Sequence, residues 1–302
     1  MNSKPTWCGA RRSCSASPRA TAFASGNPSR TAMAEPVTAP VTVITGASEG
    51  LGLALAREFA RAGHGLLLVA RGHAALSAAA DAIASASGVR VDVLVADLST
   101  REGCGSVVAA LERHGLHGEY LVNNAALGLS GPFAEHEDDE VARLVDLNIR
   151  ALSDLTARLL PGMIARNRGG VLNVASLAGF MPGPFQGAYY ASKAYVLSLS
   201  EALAQEVAGT NVRVAAVAPG PLATRFHARM GSQHDYYLRF QGVMGVEPVA
   251  RSAYAGFMRG RRVIVPGVVN WVSAQFLRVA PHTLLVPFAA WLLARREESG
   301  NV

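Results

Sequence analysis

From Val41 onward the chain alternates short apolar runs with longer stretches whose apolar positions recur every three or four residues. The short runs read as strands: VTVIT (41–45), GLLLVA (65–70), VDVLVAD (91–97), YLVNNA (120–125), GGVLNVAS (169–176), VRVAAVAPG (212–220) and VIVPG (263–267). Between them LGLALAREFARAG (51–63), AALSAAADAIASAS (74–87), the region 103–114, the long stretch 137–165 and 186–208 read as helices. Pro248 suits the first turn of one more. Strands this apolar need cover on both faces, because a solvated face would show alternate polar positions. The pattern therefore predicts a parallel sheet between two helical layers, an α/β doubly wound fold. In such a sheet ligands lie beyond the carboxyl ends of the strands, so the loops there are the places to look for chemistry.

Composition narrows the classes. Half of the 302 residues are hydrophobic and 17% are charged, which excludes a disordered or fibrous chain. Three cysteines, Cys8, Cys14 and Cys104, form no CxxC and no even framework, so neither a disulfide scaffold nor a metal site is expected. The thiols indicate a reduced, cytoplasmic setting. The net charge of +6 belongs to the first 34 residues, where Lys4, Arg11, Arg12, Arg19 and Arg30 face no acid. Beyond them 23 basic residues stand against 22 acidic ones, so the body has no footprint for nucleic acid. Residues 1–34 lack hydrophobic periodicity and are expected to be a disordered tail, a targeting segment or, preferentially, the product of a start assigned upstream of Met33. The folded domain is then 35–267. Within it the irregular segment 221–245 breaks the strand–helix rhythm and is expected to form a flap over the site.

The first candidate chemistry lies at the junction of the first strand and helix. TGASEGLG (45–52) puts Gly46, Gly50 and Gly52, with Ser48, where a tight turn and close backbone approach to a pyrophosphate would be needed. Phosphates there would meet unpaired amides and the positive end of the helix dipole. Alone, this is a weak signal. Further elements follow in order: Asp97-Leu98 after the third strand, Asn123-Asn124-Ala125-Ala126 after the fourth, Asn148, Ser176 ending the fifth, Tyr189-Tyr190-Ala191-Ser192-Lys193, then Pro219-Gly220 with Thr224.

With GxxxGxG spacing, an NNAA in place of NNAG, a YxxxK and a PGxxxT, the chain resembles the short-chain dehydrogenase/reductase family, in its single-domain branch. The resemblance implies a Rossmann-type sheet and a nicotinamide cofactor held by Gly46, Ser48, Gly50, Gly52, Asp97, Leu98, Asn124, Ala125, Pro219, Gly220 and Thr224. It implies Tyr189 as the general acid, Lys193 as its partner and a ribose ligand, Ser176 as the hydrogen bond to the substrate oxygen, and Asn148 as the holder of a water linking Lys193 to solvent. Tyr190 fails the YxxxK register. The family likeness also favours a homodimer or homotetramer.

Two points rest on the residues themselves. At the end of the second strand, where the resemblance implies an Asp that would hold the ribose hydroxyls of NAD, stand Ala70 and Arg71. A guanidinium offers a fork of donors to a 2′-phosphate that an acid would repel, so NADP(H) is expected over NAD(H). Tyr189 and Lys193 are four apart on a helix and share a face. A phenol titrates near about 10, and each unit of depression needs about 1.4 kcal/mol. Lys193 together with a cationic cofactor ring is expected to supply it.

The remaining features read plainly. The acidic run Glu135–Glu140 suits a helix start, and His114 and His117 suit exposed positions. Phe185 is a candidate for lining the substrate pocket, as are Phe226, Met230, Tyr236, Tyr237, Phe240 and Met244 of the flap. Residues 268–302 form an apolar extension whose stretch 279–294 has no charged side chain but is too short to span a bilayer. It is expected either to cover the substrate mouth or a subunit interface, or to lie along a membrane through 268–296 with Trp271 and Trp291 at the headgroups. Either way the substrate is expected to be a hydrophobic small molecule. The whole reads as an NADP(H)-dependent reductase of a ketone or oxidase of a secondary alcohol. The alternative is a catalytically silent NADP(H)-sensing protein of the same fold. An epimerase of the extended branch would show a TGxxGxxG turn and a larger C-terminal domain, and neither is present.

Overall fold

Seven parallel strands, in the order β3-β2-β1-β4-β5-β6-β7, form the sheet of the computed structural model, which describes residues 38–232 and 242–293. They are β1 Ala39–Thr45, β2 Gly65–Ala70, β3 Val91–Val95, β4 Leu116–Asn123, β5 Gly169–Val174, β6 Val212–Val217 and β7 Val263–Ile264. The helices are α1 Gly50–Arg61, α2 His73–Ser87, α3 Arg101–Arg113, α4 Asp138–Val145, α5 Leu152–Ala165, α6 Gly187–Glu206, α7 Phe226–Met230, α8 Val246–Met258, α9 Val268–Val279 and α10 His282–Leu293. The expectations for the 1–34 tail, for Tyr236, Tyr237 and Phe240 of the flap, and for residues 294–302 lie outside the described residues.

Both faces of the sheet's central strands are buried, as the continuous apolar runs require, while the edge strand β3 leaves Val93 and Val95 exposed. Ile44, Leu66, Leu68, Val122, Leu172 and Val217 meet α1, α2 and α8 through Leu55, Phe59, Leu76 and Phe257. Val43, Leu67, Val69, Leu121, Val171 and Val214 meet α3, α5 and α6 through Val107, Leu111, Leu155, Met163 and Ala204. Chain progress runs outward through β2 and β3, then returns across β1 to β4. That reversal opens a crevice between the carboxyl ends of β1 and β4, where a ligand fits.

The structure departs from expectation in instructive places. Strand β4 starts at Leu116, four residues ahead of the apolar run, because its first turn of chain carries polar residues satisfied elsewhere. His117, expected exposed, is half-buried with Nδ1 2.7 Å from Thr38 Oγ1, and the buried Glu119 accepts from Arg168 at 2.9 Å. Conversely, residues 96–97, 124–125, 175–176 and 218–220, read as the ends of strands, leave the sheet as loops. The long helical stretch is continuous but not uniform: a widened π turn, Asp146–Ala151, joins α4 to α5. The acidic run opens α4 as expected, with Glu137 and Glu140 each bonding the other's backbone.

Pro281 separates α9 from α10, and no helix among the described residues is long and apolar enough to cross a membrane. Ala289 and Leu293 on the inner face of α10 pack against Tyr190, with Tyr189, Ala178 and Met181 at the edge of that cluster.

Candidate active site

Strand β1 delivers Thr45 and Gly46 to the crevice. Gly46 and Gly50 sit at φ 64° and 57°, the left-handed region that only glycine enters freely. Gly52 has a different reason: a Cβ there would lie 2.3 Å from Gly46 O and 2.4 Å from Asn124 Nδ2, so any side chain would push α1 off the turn. Asn124 donates its side-chain amide to Thr45 O (2.9 Å) and Gly46 O (3.1 Å). Thr45 Oγ1 in turn accepts from the amides of Asn124 (2.9 Å) and Ala125 (3.0 Å). Asn124, expected to meet a cofactor, thus spends its side chain on shaping the cradle. The start of α1 carries no side-chain cap, so its amides face the crevice.

Beyond β2, the exposed Arg71 stands near Asp97 at the end of β3. Burial pushes the Asp97 carboxyl upward. Hydrogen bonds from Ser99 Oγ (2.7 Å) and Ser99 N (3.0 Å), with the charges of Arg71 and Arg143, prevail and hold it below its usual range.

On the other side of the crevice β5 ends in extended backbone at Ser176, whose Oγ accepts from Ala178 N at 3.1 Å. The first turn of α6 brings the Tyr189 hydroxyl beside Ser176, close enough for that side chain to oppose the effect of burial on the phenol. One turn on, the buried Lys193 donates from Nζ to Val174 O at 2.8 Å, and Nζ lies 5.7 Å from the centre of the Tyr189 ring. The widened turn sets Asn148 facing inward. Its Oδ1 accepts from Leu127 N (2.8 Å), and its Nδ2 donates to Leu127 O (2.8 Å) and Ser192 Oγ (3.0 Å). Ser192 Oγ donates to Tyr189 O at 2.7 Å. Both amide hydrogens of Asn148 are therefore engaged in fixing the 127 loop and the catalytic helix.

The electrostatics of the chain alone bear on Lys193 without the cofactor ring. Lys193 does not depress Tyr189 in the protein by itself. Burial pushes the phenol up to about 12, against the opposing hydrogen bond from Ser176. Burial likewise pulls the Lys193 ammonium down to about 8. With Nζ turned to Val174 O, desolvation wins over the ammonium's influence on the phenol.

A cavity of about 880 Å³ joins these parts. Gly46, Ser48, Gly50, Arg71, Asp97, Leu98, Asn124, Ala125, Ser176, Tyr189, Lys193, Pro219, Gly220 and Thr224 all line it, while Gly52 and Asn148 act from behind its wall. Phe226 and Met230 line it too, the Phe226 ring 5.5 Å from that of Tyr189. Phe185 does not. Held at φ 64°, it lines a separate cavity of about 440 Å³ with Leu129, Phe133 and His136. Tyr190 packs toward α10. No cluster of three metal-ligating side chains occurs among the described residues. Thr45 and Ser192 were missed from sequence; each is a hydroxyl directly beside a motif residue, which is the signal that marks them.

Residues 40–235 match the family described as short chain dehydrogenase. The very-long-chain 3-oxoacyl-CoA reductase of Anas platyrhynchos is 36% identical over 188 residues, 61% of this chain and 60% of that protein. The chain spans about three fifths of the length of the curated relatives it matches. A short-chain dehydrogenase from Sphingobium yanoikuyae in complex with NADPH superposes with TM-score 0.71 at 32% identity, covering 87% of this chain and 98% of that one. A short-chain dehydrogenase/reductase from Burkholderia phymatum in complex with NAD gives 0.70 at 25% identity, covering 80% and 93%.

Proposed function

Because this chain belongs to the short-chain dehydrogenase family, we propose that it is an NADP(H)-dependent oxidoreductase that reduces a ketone or oxidises a secondary alcohol of hydrophobic or acyl type. The observation that carries the reading is the convergence of Ser176, Tyr189 and a buried Lys193 on one cavity at the carboxyl edge of the sheet. The cradle fits the cofactor: Gly52 leaves the room that a pyrophosphate-binding turn requires, and the head of α1 presents uncapped amides. Relatives occur with NADPH and with NAD, so the choice between them rests on Arg71 and on the missing acid after β2.

When bound, the reduced nicotinamide supplies hydride. The chain's own residues handle the oxygen and the proton. Ser176 Oγ orients the substrate oxygen, and Tyr189 Oη gives it a proton as its charge grows. A phenol near 12 is a competent acid toward an alkoxide-like oxygen, and the same group takes the proton back in the reverse reaction. Lys193 places a positive charge one helical turn from the phenolate left behind. The apolar wall from Phe226, Met230, Ala289, Leu292 and Leu293 supports a hydrophobic substrate, consistent with the 3-oxoacyl substrate named for the Anas platyrhynchos relative.

The same reading has the chain acting in the cytoplasm as a homodimer or homotetramer. The exposed outer faces of α9 and α10, with Trp271, Phe276, Leu284 and Phe288, would lie against a partner copy or a membrane surface. A silent cofactor sensor is the second reading, and the presence of Ser176, Tyr189 and Lys193 on one cavity weighs against it. Tyr189→Phe tests the pair: NADPH oxidation against a panel of ketones should fall by about 10²-fold or more with NADPH still bound. Unchanged turnover would refute the assignment.

A further inference from the structure

The glycine turn contains a residue that opposes its own purpose. Glu49 precedes α1 directly and lines the cavity, yet its carboxylate caps none of the helix amides. An anion at the head of a helix competes with the phosphates that the head attracts. The carboxylate is met by two cations from a segment 176 residues away in the chain. Arg225 Nη2 donates to Glu49 Oε2 at 2.5 Å, and Arg229 pairs with Glu49 Oε1. Arg225 and Arg229 both line the same cavity.

The arginines are carried on a seated element. Phe226 of α7 lies on the Tyr189 ring, and Met230 is buried against Gly128, where a Cβ would come within 2.5 Å of its sulfur. Thr224, just ahead of α7, approaches Gly50 of the turn. Burial raises the Glu49 carboxyl, but bonds to Arg229 and Arg225 outweigh it and keep the group ionised.

We propose that Arg225 and Arg229 are positioning residues of the cofactor site, which neutralise Glu49 and so make the head of α1 competent to hold the cofactor's pyrophosphate. The inference rests on the NADP(H) reading above. It also means that cofactor binding is coupled to the seating of α7 over Tyr189, since the two arginines leave the turn if α7 does.

The test is the NADPH dissociation constant, read by nucleotide fluorescence on the full chain. Replacing both arginines (Arg225→Ala with Arg229→Ala) should weaken binding about tenfold or more, and less so as salt is raised, because exposed charges are screened. Arg225→Lys with Arg229→Lys should keep most of the affinity, as charge rather than fork geometry does the neutralising. Adding Glu49→Gln to the alanine pair should restore binding at least threefold, because no bare carboxylate is left to repel phosphate. Two results would overturn the proposal: alanine variants that bind as the parent does, or a triple variant no better than the alanine pair. If the parent itself fails to bind NADPH, the functional reading fails and this inference falls with it.

Discussion

Lys193 should cost the fold stability at neutral pH, and removing it should return that stability. The side chain is 3% exposed, and its ammonium falls to about 8 from an ordinary 10.5. Between those two values the unfolded chain binds the proton and the folded chain does not. Stability therefore rises with pH across 8 to 10.5, and below about 8 the full penalty of burying the charge is present. The difference of about 2.5 units corresponds to about 3 kcal/mol. Lys193→Met, which keeps the apolar stem and drops the charge, should be the more stable protein at pH 7 by roughly 1–3 kcal/mol. The range allows for the carbonyl of Val174, which loses its donor. At pH 10 or above the advantage should shrink toward zero or reverse. Urea denaturation of both proteins at pH 7 and pH 10 measures the two differences. A Lys193→Met protein less stable than the parent at pH 7, or an advantage that grows with pH, would refute the reasoning. Lys4 and Lys193 are the only lysines of the chain, so a ¹³C-labelled lysine titration reports the same shift almost without overlap.

Other expectations follow from single contacts. Arg71→Ala should raise the KM for NADPH about tenfold and leave that for NADH nearly unchanged, since its guanidinium is argued to serve only the 2′-phosphate; equal effects on both would remove the charge argument. Gly52→Ala should weaken NADPH binding by at least tenfold, because its methyl meets Gly46 O and Asn124 Nδ2 inside contact distance. The same change should cost about 1–3 kcal/mol in stability, read by thermal melting, and a variant unaffected in both would mean that the turn yields freely.

Much of the fold was legible because the central strands are covered twice. A run such as LLLV in β2, buried along its length, leaves no polar position to blur the reading. Legibility failed where burial is polar. Glu119 sits inside β4 because Arg168 accompanies it, and no count of apolar residues registers a paired charge. It failed again at the strand ends, where apolar loops and apolar strands look alike. The site was legible as a set of residues and less so as a set of bonds. Gly46, Arg71, Ser176, Tyr189 and Lys193 reach one cavity from three loops and one helix, as the motif order implies. Asn148 and Asn124 turned out to hold the backbone of that cavity, a division of labour that depends on a widened turn and on carbonyl directions. Neither leaves a trace in residue type. The phenol's high pKa was likewise hidden, since depth of burial decides it.

The most direct measurement is the titration of Tyr189 itself, followed through ¹³Cζ-labelled tyrosine with Tyr189→Phe as the assignment. In the protein alone its phenol should remain protonated through pH 11, and on saturation with NADP⁺ it should ionise at a clearly lower pH. Ionisation near neutrality without nucleotide, or a midpoint that NADP⁺ leaves where it was, would contradict the account.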